Sequence, residues 1–198
     1  MATEHSHEHT NIERGHSHHY RSAWRNKLLF IAELPLAIYS GSFALKVAVG
    51  HNGVDGSIHK LRDRASSEQN DRRRAMLRLK AAGLLAGAGV ASYALERMSG
   101  VHTDVPIWVG WVFAGETVVN VVGLADGIKN GEEGTDTLTS KLHNGTDAII
   151  SAATAATILI PTYLGNENTQ RLDNIAAYGH LGFMSLVAGI TAATAFKD

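Results

Sequence analysis

The segment Ala148–Asn166, AIISAATAATILIPTYLGN, runs for 19 residues without a charged side chain. A second segment, Asn174–Phe196, NIAAYGHLGFMSLVAGITAATAF, adds 23 more, interrupted only by His180, which can be neutral. At 1.5 Å per residue, runs of this length meet the span of a hydrocarbon layer of about 30 Å. Helices of a soluble bundle place polar residues at every third or fourth position, and these two segments do not. Working outward, Val105–Ala125 carries a single Glu116, and between Lys27 and Gly50 the only charges are Glu33 and Lys46. Ala81–Leu95 is a shorter uncharged run. The expectation is an all-α protein, a six-helix transmembrane bundle.

Composition conceals this segregation. The chain has 198 residues, 44% hydrophobic and 19% charged, with a formal net charge of −1. It contains no Cys, which excludes a disulfide scaffold, a thiolate zinc finger and a cysteine nucleophile. Residues 1–24, MATEHSHEHTNIERGHSHHYRSAW, form a polar tail with six of the eleven His and no apolar core of a signal peptide. The expectation is a disordered, His-rich cytosolic tail followed by one membrane domain over 25–198. Helices are expected at Asn26–Ser40, Phe43–Ala65, Arg72–Met98, Val105–Lys129, Thr137–Leu164 and Leu172–Phe196, with Pro35 and Pro161 tolerated inside two of them. With both termini cytosolic, fifteen Lys and Arg fall inside and two outside, Arg97 and Arg171, as the positive-inside rule requires. Tyr39, Trp108, Trp111 and Tyr163 then sit near the outer interface and Trp24 near the inner one.

The pentapeptide His51-Asn52-Gly53-Val54-Asp55 recurs 92 residues later as His143-Asn144-Gly145-Thr146-Asp147, the mark of an internal repeat. In each copy His and Asp are four apart, which places both on one helix face. Asp55 lies 13 residues past Ser42 and Asp147 lies 17 residues before Leu164. Those intervals are about 20 and 25 Å, a similar depth in the inner half of the membrane. Together His51, Asp55, His143 and Asp147 offer two imidazole nitrogens and two carboxylates, a set suited to tetrahedral Zn²⁺ and usable by other divalent ions. A lone His–Asp pair is more often a core hydrogen bond; two matched copies favour a metal. Gly at the centre of each motif leaves room for close helix approach.

This arrangement resembles the cation diffusion facilitator family of divalent-metal transporters over about residues 26–196. Tyr39-Ser40-Gly41-Ser42-Phe43-Ala44-Leu45 is similar to the link between that family's first two helices. The resemblance implies a transport site of His51, Asp55, His143 and Asp147, with Zn²⁺ as the bound substrate and Co²⁺, Cd²⁺, Ni²⁺, Mn²⁺ or Fe²⁺ as alternatives. It implies export from the cytosol across the cell membrane, driven by inward protons. Expected partners are therefore the metal ion, protons and lipid, with homodimerisation left open and no nucleic acid. The chain departs from the family in three ways. Helix two turns charged at His59, Lys60, Arg62, Asp63 and Arg64; Lys46 lies within a span; and the sequence ends two residues past Phe196, so the family's cytosolic C-terminal domain is not expected.

Glu116 is read as a hydrogen-bond partner of the site or a proton relay, or equally as the cap of a kink or a mate for Lys46, and His180 as a satisfied interhelical donor. His102 and Asp104 read as solvated loop residues. The tail spacings His5-x-His7-x-His9 and His16-x-His18-His19 suit loose capture of Zn²⁺, Ni²⁺ or Cu²⁺. Two other classes compete: a non-transporting metal-binding membrane protein and a soluble helical metal-binding bundle. No GxSxG, P-loop, GxGxxG or HExxH occurs, so an enzyme is not expected.

Overall fold

The computed structural model describes residues 24–99, 104–130, 135–165 and 168–196, with the side chains of 127, 130 and 135–144 outside that description. Most of the His-rich tail, His102 and the side chain of His143 therefore lie outside the described residues. Six helices and no strand are present among those described. They are α1 (24–40), α2 (Phe43–Ser67), α3 (Asp71–Ser99), α4 (Trp108–Asn130), α5 (Thr135–Tyr163) and α6 (Thr169–Ala193). The helices run through Pro35 and Pro161, and their limits differ from those read in the sequence by no more than three residues.

Helix α2 is the centre of the bundle. It packs against α3 and α6, while α5 packs against α4 and α6. Helix α1 lies across α2 and α4: the Phe30 ring sits 3.0 Å from where a Cβ on Gly53 would be, and Tyr39 stacks on Trp108 with ring centroids 6.5 Å apart. One apolar core joins the elements, with Phe43, Leu45 and Val47 of α2 against Leu85 of α3, Phe113 of α4, Ile158 of α5 and Met184 of α6. Large apolar side chains also point outward from α1, α3, α4, α5 and α6, among them Ile38, Val90, Val118, Ile149 and Leu186. Helix α2 exposes none. A bundle with an apolar exterior and a buried polar interior is built for a hydrocarbon solvent.

Four helices are long and apolar enough to cross a membrane: α3, Trp108–Asp126 of α4, Gly145–Tyr163 of α5, and α6. Neither α1 nor α2 is among them. The described part of α1 is 17 residues long, or about 26 Å. In α2 the reason is polarity, and the enclosure of α2 by its neighbours removes the need for a lipid-facing surface.

The turn into α2 shows how that helix is held. Gly41 takes φ 68°, a left-handed conformation that strains residues with a Cβ. Ser42 then caps α2, its Oγ accepting from the Leu45 amide at 3.0 Å and donating to Asp173 Oδ1 of α6 at 2.5 Å. Asp173 Oδ2 accepts from the amides of Phe43 at 2.7 Å and Ala44 at 3.3 Å. A carboxylate at a helix N-terminus also complements the helix dipole. Asp173→Ala leaves the Ser42 hydroxyl and two amides without their acceptor in a buried site, and is expected to cost about 3 kcal/mol or more. Ser42→Ala should cost about 1 kcal/mol. Thermal unfolding of detergent-purified protein reads both; equal, small losses would show that the clamp does not hold α2.

Candidate functional site

From the N-terminal clamp, α2 descends through His51, Asn52, Asp55 and His59, all buried. His51, Asp55 and His59 recur every four residues and form one stripe, with Asn52 turned about a quarter of the way round the helix. Each residue meets a different neighbour. His51 Nδ1 lies 3.1 Å from His180 Nε2 of α6, the rings edge to face. Asp55, 1% exposed, accepts from the Asn26 amide of α1, and its Oδ2 lies 3.3 Å from His59 Nε2. Asn52 Nδ2 donates to Glu33 Oε2 of α1 at 2.8 Å and reaches Glu116 Oε1 of α4 at 3.4 Å. Small residues permit this convergence: Gly53 admits Phe30, and Gly50 admits the Ser92 side chain of α3.

The second motif copy approaches the first through Glu116. Asp147 and Ser151 are four apart on α5 and so share a face. Ser151 hydrogen-bonds the Glu116 carboxylate, which also lies within the electrostatic reach of Glu33 and Asp147. A single buried carboxyl group thus touches Asn52 of one HNGxD copy and the helix that carries the other. His143 sits one turn before Asp147 on α5, with its side chain outside the described residues. Among the described residues no three His, Asp or Glu side chains gather closely enough to hold one ion. Of the four predicted ligands, His51 and Asp55 share a buried stripe and Asp147 faces α4.

Several polar residues of this interior are not separated out by the sequence. Asn26, Ser151 and Asp173 carry no spacing signal, because their partners come from remote helices. His59 marks in the sequence the point where helix two turns charged; the structure buries it beside Asp55 and continues the motif stripe by one turn. His180 does pair across helices, as expected, yet its Nδ1 has no hydrogen-bond partner among the described residues. Lys46 is settled by an ion pair: its Nζ lies 2.7 Å from Glu96 Oε2 of α3 and 3.3 Å from Ser99 Oγ. Glu116 is accordingly not its mate.

No family model matches the chain, and no curated protein or solved structure is similar to it.

Lys46 and Glu96 are nearly buried, at 10% and 12% side-chain exposure, so removing one charge strands the other. Lys46→Met is expected to destabilise by about 3 kcal/mol, whereas Lys46→Met combined with Glu96→Gln recovers most of that loss. A double-mutant cycle on thermal stability measures the coupling, and additive losses would place both groups in water instead.

Proposed function

We propose that this chain is a membrane transporter of divalent cations, with zinc as its substrate, and that it belongs with the cation diffusion facilitators. The observation that carries the reading is the repeated HNGxD motif. One copy lies wholly inside the most enclosed helix of an apolar-surfaced bundle, and the other lies on a helix tied to it through Glu116. Burying His51, Asn52, Asp55 and His59 in such a bundle is expensive, and intramembrane ionisable groups are kept for function. All six helices are taken to span, α2 by being sheltered, with both termini in the cytosol of a cell-membrane protein.

In this mechanism the substrate ion is held by His51, Asp55, His143 and Asp147. Binding requires neutral imidazoles and ionised carboxylates, so loading releases protons and protonation releases metal. Imidazole titrates near neutral pH, which suits it to a cytosol-to-exterior exchange. His180 and Asn26 orient His51 and Asp55 in the absence of the ion, since each donates to or accepts from a ligand side chain. Movement of the surrounding helices about α2 exposes the site to one side and then the other. The His-rich tail concentrates metal at the cytosolic face.

Proteoliposomes loaded with a zinc-sensitive dye test the reading directly. With an acidic interior, the wild-type protein should carry zinc inward, and Asp55→Ala should slow the flux by about tenfold or more. Replacing His51, Asp55, His143 and Asp147 together by Ala should bring it to the level of empty vesicles. Undiminished flux in the fourfold variant would defeat the site assignment. Zinc binding without flux in wild type would identify a non-transporting metal-binding protein.

A further inference from the structure

Beside the His–Asp stripe lies a second polar centre that the transport reading does not use. Glu33 of α1, Asn52 of α2 and Glu116 of α4 converge on one point, at 2% and 5% exposure for the two carboxylates. One amide nitrogen serves both carboxylates. The remaining oxygens, Glu33 Oε1 and Glu116 Oε2, are buried and have no hydrogen-bond partner among the described residues. Nor does any Lys or Arg pair with either group there: Lys46 is bound to Glu96, and Arg25 donates to the Val119 carbonyl at 3.4 Å. Two carboxylates in a low-dielectric interior, sharing the Asn52 donor, with Ser151 the one further donor to Glu116 among the described residues and two acceptors left empty, lack a positive charge.

We infer that Glu33, Asn52 and Glu116 form a cation site made wholly of oxygen ligands, for a hard divalent ion of the Mg²⁺ or Mn²⁺ kind. Oxygen-only donors select such ions over those that prefer nitrogen or sulfur, and three protein ligands leave positions for retained water. The Asn52 amide makes the site reversible. As a donor through Nδ2 it bridges the two carboxylates; turned over about its last torsion it presents Oδ1, and the three side chains offer three oxygens from three helices. Asp147, within electrostatic reach of Glu116, strengthens the field without being a required ligand. An ion here would lock α1, α2 and α4 together at the level of the motif. The site shares no residue with the His51, Asp55, His143 and Asp147 set, so either can fail alone.

The test is Mn²⁺ binding to the full chain in detergent, followed by the loss of the free-ion electron paramagnetic resonance signal, with Mg²⁺ as competitor. The background is His51→Ala combined with His143→Ala, which removes both imidazoles of the zinc set and should leave Mn²⁺ binding in place. In that background Glu33→Gln with Glu116→Gln should weaken Mn²⁺ by tenfold or more (roughly the 10- to 100-fold range of ligand-shell losses). Asn52→Asp separates a site from a structural bridge. It keeps the side chain's shape and replaces a donor by an acceptor. A cation site then binds Mn²⁺ about tenfold more tightly, and added Mn²⁺ raises the melting temperature. A bridge that only joins two carboxylates loses its donor, and Mn²⁺ affinity does not rise. Unchanged Mn²⁺ affinity in the double Gln variant, or no gain with Asn52→Asp, overturns the proposal. If the double Gln variant does not fold, the Asn52→Asp result decides alone.

Discussion

The depth of everything polar in this bundle is set by Asp173. Its carboxylate holds the first amides of α2 and the Ser42 hydroxyl, so the central helix begins at a fixed height against α6. From that point 1.5 Å per residue places His51 about 14 Å, and Asp55 about 20 Å, below Ser42. His51 then arrives opposite His180, which stands seven residues along α6 from Asp173, or about 10 Å. The clamp and the His pair are two points of one register. Two helices fixed at both points cannot slide past each other by a turn without breaking both, so the clamp aligns the site as well as holding the fold.

A second constraint concerns solvent. In hydrocarbon every polar group must find its partner within the protein, and the bundle meets that demand by surrounding its most polar helix. Helix α2 fails a hydropathy criterion that α3 to α6 pass, and the failure reflects where its side chains point. Lys46 meets Glu96, Asn52 meets Glu33 and Glu116, and Asp55 meets Asn26 and His59. Hydropathy averages composition along a chain and carries no information about which neighbours will surround it. The same limit explains why His59, grouped in the sequence with the charged end of helix two, is buried in the fold.

The six helices and their boundaries were legible because uncharged runs and breakers such as Ser40-Gly41-Ser42 are local signals. The motif at His51–Asp55 was legible because it occurs twice. The partners were not legible, since they depend on contacts across great separations in sequence: His51 with His180 and Ser42 with Asp173 span 129 and 131 residues. Asn52 is the instructive case. It is part of the repeated pentapeptide, yet attention to His and Asp as metal ligands passes over the amide between them. In the fold it contacts two other helices at once.

That position lets Glu116 link the two halves of the repeat. Helix α5 packs on α4 and α6, and among the described residues Glu116 of α4 contacts both Asn52 of α2 and Ser151 of α5. A carboxyl group in that role has two properties an apolar spacer lacks. It accepts from Asn52 on one side and Ser151 on the other, so its orientation is shared between the two motif-bearing helices. It also carries or loses charge, so any cation or proton that reaches it alters the field felt by Asp147 and the hydrogen bonding available to Asn52 together. A shift of α5 relative to α2 would then entail a rearrangement at Glu116, and a cation held at the proposed site would bias that shift in return.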